Sequence, residues 1–371
     1  MDLLTIIIVV LALGYLSYVI IEKVLVNKLR KSFKLIIHVN GIRGKSTTTR
    51  LIDAGLRNCG FKVFSKTTGT VPTYIDVNNN DKEIMRLGKA NIREQIKMLR
   101  LAKKEGAEVV VLECMAVNPE LQRICEEKIL KADVTVITNV RLDHVNDMGD
   151  NLEDIAEAFS NTIPTNGKLI IADSEFANFF KDKARLKNTE VFVSKPYDGE
   201  DLDTFKENIS LSLMVAEALN LDQNSFFEGM RSYHHDVGAF DAYKINDTIF
   251  FNGFSINDPT SIKIVYDKII NELHYQAEDI TILLNNRFDR PTRVIQHIDL
   301  MKEIKYKNLY LTGSNLRYVK NKIAKDLPNI DIRFFTDIDS LLEEKIIFAV
   351  GNIGGKGLKI LDYFKNNGEK I

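Results

Sequence analysis

Leu35-Ile36-Ile37-His38-Val39-Asn40-Gly41-Ile42-Arg43-Gly44-Lys45-Ser46-Thr47-Thr48-Thr49-Arg50 decides how the rest of the chain is read. An apolar run ends in a glycine-flanked turn, and Lys-Ser then opens a helix. A strand, a glycine turn and a helix in that order build a nucleotide phosphate site. Two glycines let backbone N–H groups curl around phosphate oxygens. The positive end of the helix adds to that field. Lys45 would reach the terminal phosphates, and Ser46 would offer its hydroxyl to Mg2+. The sequence departs from the general P-loop pattern at Val39, where that pattern has its first glycine. It fits the shorter form Gly-x-x-Gly-Lys-Ser/Thr. A plain glycine turn before a helix is the competing reading; strand, turn, Lys-Ser and helix together favour ATP.

The chain of 371 residues is long enough for two domains of ordinary size. Its 45% hydrophobic and 27% charged residues are typical of a folded globular protein. A net charge of -1 gives no global pull toward nucleic acid. The three cysteines, Cys59, Cys114 and Cys125, form no Cys-x-x-Cys pair, so neither zinc nor a disulfide framework is indicated. Cys114 reads as a core residue, and a reducing compartment is the simplest setting.

Leu3 to Ile21 runs without a charge and is rich in Leu, Ile and Val. It is about long enough to cross a bilayer. Lys23, Lys28, Arg30, Lys31 and Lys34 follow, against only Glu22. The positive-inside rule then puts everything after the run in the cytoplasm. A cleaved signal peptide would carry its basic residues before the apolar run and an Ala-x-Ala site after it. Here the basic residues come after, so the expectation is a retained single-pass anchor in the cell membrane.

Beyond the anchor, short apolar strands alternate with amphipathic helices, which is the pattern of an α/β fold with a largely parallel sheet. Strands are expected at 35–39, 63–65, 109–113, 134–139, 168–172 and 190–193. Helices are expected at 46–58, 91–104, 151–161 and 208–219, with a polar loop at 76–81. Near Val237-Gly238-Ala239 a second alternating series begins, with strands at 248–254, 279–285, 308–312, 330–335 and 345–350. The expected organisation is a transmembrane anchor (1–22), a basic juxtamembrane segment (23–34), a P-loop ATP-binding α/β domain (35–238) and a smaller Rossmann-like C-terminal α/β domain (239–371).

Ligands of open parallel sheets sit beyond the carboxyl ends of the strands. The first strand ends in the phosphate loop. Val109-Val110-Val111-Leu112 ends in Glu113, and Val134–Asn139 leads into Val140-Arg141-Leu142-Asp143-His144. A carboxylate there can hold Mg2+; a histidine is a softer ligand that also suits Mn2+. The bland readings are a helix cap for Glu113 and a structural role for His144.

Several of these stretches resemble a known family. Gly41-Ile42-Arg43-Gly44-Lys45-Ser46-Thr47 is similar to the ATP loop of the Mur ligase superfamily. Asn139-Val140-Arg141-Leu142-Asp143-His144 resembles that superfamily's Asn-x-x-x-Asp-His motif, with Gly149 after it. Lys66-Thr67-Thr68-Gly69-Thr70, Glu113-Cys114-Met115-Ala116-Val117-Asn118-Pro119, Asp154–Phe159 and Ala349-Val350-Gly351-Asn352-Ile353-Gly354 narrow the resemblance. They are similar to the ligase subunit of poly-γ-glutamate synthases, over nearly the whole chain. The resemblance implies an ATP-dependent amide ligase. It would phosphorylate the γ-carboxylate of a growing poly-γ-glutamate chain and let the amino group of an incoming glutamate attack. Gly41, Arg43, Gly44, Lys45, Ser46 and Thr47 would bind the nucleotide. Ser46 and Glu113 would hold a first Mg2+, and His144 a second. Lys45, Glu113 and His144 would be catalytic. A small polytopic membrane subunit and an extracytoplasmic subunit are implied as partners; association with further copies of the chain stays open.

Lys66, Thr67, Thr68 and Thr70 follow the second strand and suit an anionic substrate group or the γ-phosphate, or else a turn rich in capping threonines. Arg287, Arg290 and Arg293 form a basic cluster after a strand of the second domain, suited to glutamate or a polyanion, or simply solvated. Three departures from the superfamily stand out. No lysine occupies 156–159, where many Mur-type ligases carry a carbamylated one, and Glu157 is the acid nearest that role. Gly238-Ala239-Phe240-Asp241 lacks the usual junction arginine. Asn252–Asp258 lacks the usual histidine, leaving Asn257 to touch the nucleotide. A folylpolyglutamate-type ligase shares the mechanism but acts on a soluble substrate, against which the anchor argues. A membrane-tethered regulatory ATPase of envelope assembly would need the same phosphate loop and no glutamate.

Overall fold

A computed structural model describes residues 2–371, except 70, 71, 87, 89, 173, 174, 201, 203, 236–240, 255, 257, 258, 272 and 288–290; the side chains of 260 and 291–293 are also outside the description. Two compact units emerge, Met1–Asp236 and Val237–Ile371.

The first unit opens with α1 (Leu3–Arg30), a helix of 28 residues. Its apolar part has a mean hydropathy of 2.6, none of it is buried, and it is long and apolar enough to cross a membrane. The basic segment expected from 23 is mostly a continuation of this helix. Val26 and Leu29 recur on one face there and are buried against the unit, which keeps the helix going.

There follow β1 (Leu35–Asn40), α2 (Lys45–Asn58), β2 (Val63–Thr67), β3 (Thr73–Ile75), β4 (Asp81–Glu83), α3 (Arg93–Glu105) and β5 (Val109–Glu113). Next come α4 (Pro119–Ile124), a π-helical turn (Cys125–Leu130), β6 (Val134–Ile137), α5 (Val145–Met148), α6 (Leu152–Ser160), β7 (Lys168–Ala172), α7 (Ala177–Leu186), β8 (Glu190–Ser194), α8 (Lys206–Ala218) and α9 (Gln223–Met230). The strands form one sheet in the order β4-β3-β2-β5-β1-β6-β7-β8. All pairings are parallel except β2 with β3 and β3 with β4. That antiparallel hairpin was not expected. Its turn is the polar stretch after Ile75, closed by Asp76, whose carboxylate accepts from the N–H groups of Asn78 and Asn80 at 2.9 Å.

Central β1 is covered on both faces, which is why it reads as a nearly continuous apolar run. Ile37 and Val39 pack with Leu51, Ile52, Ile209 and Phe226 of the helical layer on one side. Ile36 packs with Leu29, Leu99 and Ile129 on the other. The chain reverses its direction of winding at β1, which lies between β5 and β6. Open α/β sheets bind ligands at such a switch point.

The second unit contains β9 (Asp241–Ile245), β10 (Thr248–Asn252), α10 (Pro259–Asn271), β11 (Ile280–Asn286), α11 (Pro291–Glu303) and β12 (Asn308–Gly313). Its remaining elements are α12 (Leu316–Asp326), β13 (Asp331–Phe334), α13 (Asp339–Leu342), β14 (Ile346–Gly351), α14 (Lys356–Asn367) and β15 (Glu369–Lys370). The sheet order is β13-β12-β11-β14-β10-β9-β15. Its parallel core is extended by β9, antiparallel to β10, and by the edge strand β15, antiparallel to β9.

Candidate active site

The register of the first sheet sets the site. Val39 lies opposite Glu113, and Asn40 opposite Ile137, so β1, β5 and β6 end level with one another. Above them the chain turns through Gly41 and Gly44, at φ +125° and +79°. Both positions exclude side chains. A Cβ on Gly41 would lie 2.1 Å from Thr138 Oγ1, and one on Gly44 2.2 Å from Asn208 Oδ1.

The loop is clamped to the segment after β6. Arg43 N–H donates to Asn139 Oδ1 at 3.0 Å, while Asn139 Nδ2 and Thr138 Oγ1 donate to the Arg43 carbonyl at 3.1 and 2.6 Å. This is why β6 stops at Ile137: Thr138 and Asn139 turn their side chains to the loop instead of continuing the sheet. Arg43 Nη2 donates to Asp143 Oδ2 at 2.9 Å. Arg43, expected to contact the nucleotide, thus lies in the loop with its guanidinium on Asp143 and its N–H on Asn139. Asp143 Oδ1 in turn accepts from the His144 N–H at 2.8 Å and holds His144 at φ +53°. Asn139 and Asp143 thus order the loop that presents His144, whose half-buried ring has Nε2 3.7 Å from Asp143 Oδ2.

Ser46, in the first turn of α2, donates to Glu113 Oε2 at 2.7 Å. Glu113 is buried and also accepts from the N–H and hydroxyl of Thr68, and its carbonyl accepts from Gln95 Nε2 at 3.0 Å. Lys45 folds back over its own loop and donates to the carbonyls of Gly41 and Ile42 at 2.8 and 3.2 Å. Burial pulls the Lys45 ammonium below the ordinary lysine range, against the pull of Glu113. Thr47 is half-buried in the same turn.

These donors fit a hard divalent cation. Ser46 Oγ and the Glu113 carboxylate are oxygen ligands within bonding distance of one another, beside the positive end of α2. Among the described residues no three His, Cys, Asp or Glu side chains form a metal cage. Mg2+ is commonly held that way in nucleotide sites, by one or two protein oxygens with phosphate and water completing the shell.

Three expectations need correction. Lys66 offers no ammonium to a substrate: it is fully buried, 2.9 Å from Glu94 and 3.2 Å from Gln95 Oε1. Thr67 faces inward, its hydroxyl 2.8 Å from that of Thr73, which Arg50 also engages. Both belong to the strand that continues past Ser65 into the hairpin. Glu157 is exposed and paired with Lys183 at 2.6 Å, on the surface of α6. In the second unit, Arg287 is exposed just after β11, near Gly354. Thr70, Asn257, Arg290 and the Arg293 side chain lie outside the described residues. Thr68 sits at the site, as a support of Glu113. Asn208, packed against Gly44 and 3.4 Å from Thr48 Oγ1, was not foreseen, because an asparagine in a distant helix carries no local signal.

Residues 39–226 match the Mur ligase middle domain, and residues 237–367 match the poly-gamma-glutamate synthase CapB C-terminal domain. The chain is 37% identical over 350 residues to the PGA synthase CapB of Bacillus subtilis (strain 168), an alignment covering 88% of this chain and 89% of that protein. It is 34% identical over 355 residues to the capsule biosynthesis protein CapB of Bacillus anthracis, covering 89% and 76%. Among solved structures, the bifunctional folylpolyglutamate synthase/dihydrofolate synthase of Yersinia pestis, complexed with AMPPNP and Mn ion, has a TM-score of 0.69 over 92% of both chains at 14% identity. MurF of Acinetobacter baumannii has a TM-score of 0.67 over 91% of this chain and 78% of its own, also at 14% identity. At that level of identity the likeness is one of fold.

Proposed function

The chain belongs to the CapB family of poly-γ-glutamate synthases, built on a Mur ligase middle domain, and from that premise we propose that it lengthens a glutamate chain through γ-peptide bonds. It is an ATP-dependent amide ligase. In the reaction we propose, the terminal γ-carboxylate takes the γ-phosphoryl group of ATP, the amino nitrogen of a glutamate attacks the acyl phosphate, and phosphate leaves as the amide forms.

The observation that carries the residue assignment is the Ser46–Glu113 contact beneath the Gly41–Gly44 loop. Ser46 and Glu113 would hold Mg2+, which when bound offsets phosphate charge and favours the transition state. Lys45 leaves its loop carbonyls to reach the terminal phosphates. The helix α2 presents its positive end to the same group. His144, presented by Asp143, would serve the side on which the acceptor carboxylate arrives. A second Mg2+ held by His144, together with the first and Lys45, would lower the repulsion between a phosphate and a carboxylate brought together. Thr68 holds the Glu113 carboxylate in place through its N–H and hydroxyl.

The first unit acts as the catalytic domain and the second as its C-terminal partner domain. We place α1 across the cell membrane with the catalytic unit in the cytoplasm, because the basic residues follow the apolar run and ATP is cytoplasmic. One membrane-crossing helix gives a polymer no route out, so export falls to a polytopic membrane subunit and an extracytoplasmic one.

The test is ADP release by the full chain in detergent with Mg2+ and ATP, with and without glutamate and short γ-glutamate oligomers, followed by mass analysis. Glutamate-dependent ADP release with products growing by one residue is the expected result. ATP turnover indifferent to glutamate, with the membrane subunit also present, would overturn it in favour of a regulatory ATPase. His144→Ala should abolish ligation while ATP still binds; equal loss of binding would remove His144 from the acceptor side.

A further inference from the structure

The polar end of α1 is docked along the first unit, and its contacts run in a definite order. Arg93 Nη2 donates to Tyr18 at 2.7 Å and pairs with Glu22. Val26 and Leu29 then bury themselves with Met98 and Leu99 of α3. Lys131 Nζ donates to Asn27 Oδ1 at 3.1 Å, and Arg30 donates to the Lys131 carbonyl and pairs with Asp133 at 2.7 and 3.3 Å.

Each end of that series is tied to one edge of the sheet. Arg93 opens α3. In the same turn Gln95 donates to the Glu113 carbonyl at the end of β5, and Glu94 pairs with Lys66 near the end of β2. The first turn of α3 is therefore at the carboxyl edge, where the site lies. Asp133 accepts from Ile36 N–H at the start of β1 and precedes β6, so Arg30 is at the amino edge. Followed back toward its N-terminus, α1 leaves the unit at the carboxyl edge, and its apolar part projects beyond it.

This inference rests on reading α1 as membrane-spanning. About 20 residues of helix fill the hydrocarbon core, which puts Glu22 at the headgroups and Tyr18 in the interfacial aromatic belt. We infer that the catalytic edge of the sheet faces the bilayer, with the first turn of α3 and the chain just after β4 against the lipid headgroups. The surface fits. Pairing of Thr67 with Thr73 and of Thr73 with Glu83 puts the end of β4 at the carboxyl edge. Two residues on, Met85 is 85% exposed, an apolar side chain with no protein cover. Lys97 is exposed one turn along α3 from Arg93, suited to anionic lipid. The acceptor chain would then be extended at the membrane surface and not on the far side of the unit.

The experiment places single cysteines in the full chain with Cys59→Ser, reconstituted in phosphatidylglycerol–phosphatidylcholine vesicles. A fluorophore on Met85→Cys reports the carboxyl edge, and one on Thr165→Cys, exposed ahead of β7, reports the amino edge. The two edges are separated by the length of a strand, about 20 Å. A nitroxide on the lipid headgroup should remove most of the emission at position 85 and leave that at 165. Equal loss at both, or greater loss at 165, overturns the orientation. Gly14→Cys, labelled and quenched by a nitroxide deep in the acyl chains, tests the span separately. Failure there overturns the span and the orientation with it; quenching there with the wrong ranking of 85 and 165 overturns the orientation alone.

Discussion

Glu94→Gln removes the charge partner of Lys66 while preserving size and a hydrogen-bonding oxygen. Lys66 is fully buried, and Glu94 lies 2.9 Å away. Burial pulls Lys66 below the ordinary lysine range, and Glu94 is the main influence opposing it. With Glu94 neutralised, Lys66 must remain charged without a partner or give up its proton. The second route sets the ceiling. A free lysine titrates near 10.4, so holding it neutral at about pH 7.5 costs about 4 kcal/mol at roughly 1.36 kcal/mol per pH unit. Breaking a buried ion pair costs about 3–5 kcal/mol by mutational precedent, in agreement. Arg86, which Glu94 also holds in a two-pronged contact at 2.7 and 2.9 Å, has a partly exposed side chain that water can reach, so loss of that pair adds a smaller part that does not vary with pH. For a unit of this size the melting temperature should fall by roughly 8–16 °C. The folded variant holds Lys66 neutral while the unfolded chain binds its proton, so the deficit shrinks as pH rises, to about 1 kcal/mol near pH 9.5. Thermal and urea unfolding of both proteins in one detergent, from neutral to alkaline pH, gives the measurement. Lys66→Met added to Glu94→Gln should recover much of the loss. A deficit under about 1 kcal/mol at neutral pH, well below the cost of an unpaired buried charge, or one that does not shrink with pH, refutes the reasoning.

Other expectations are equally concrete. Glu113→Gln should lower glutamate-dependent ADP release by on the order of 10²-fold or more while nucleotide binding in EDTA is kept; wild-type turnover would remove Glu113 from the cation site. Gly44→Ala forces a side chain into φ +79° and against Asn208, a backbone penalty of about 1–2 kcal/mol. ATP affinity, read by calorimetry, should therefore fall on the order of tenfold, and unchanged affinity would contradict the loop geometry. His38 is buried with Nδ1 3.2 Å from Glu126; burial works against its charge, but Cys114 and Glu126 prevail and raise it from 6.5 to about 9. Its contribution is complete below the unfolded value of 6.5 and lost as pH rises through about 9. Wild type should thus lose stability relative to Glu126→Gln over that window, and a constant difference would argue against the pair.

The phosphate loop, the parallel strands, Glu113 at the end of β5 and the loop after β6 that carries Asp143 and His144 were legible because each signal is local: an apolar run, then polar residues where the strand gives out. The β3–β4 hairpin was not, since Thr73-Tyr74-Ile75 is too short to show a period and its pairing depends on β2. The fate of Lys66 was equally hidden. A lysine after a strand looks like an anion ligand until Glu94 and Gln95, from a helix that follows it in sequence, close over it. The partner of Arg43 was hidden for the same reason, because Asp143 comes from the loop after β6. Glu157 could be judged only when α6 fixed which of its faces is solvated. Charged side chains are settled by partners far away in sequence, and sequence spacing does not carry that information.

Lys45 on the carbonyls of Gly41 and Ile42, with Ser46 on Glu113, makes the loop a latch that closes on itself. A nucleotide must open that latch, so its affinity is a difference between two competing sets of bonds. ATP competes with both phosphates that Lys45 reaches; ADP competes with one fewer. The loop's own carbonyls then reclaim the lysine more readily from the product than from the substrate. The feature would act as an ejector, favouring turnover over tight binding, and it would show as an ADP affinity no higher than that for ATP. For an enzyme that must repeat one step many times on the same chain, rapid clearing of the spent nucleotide sets how fast the polymer can grow.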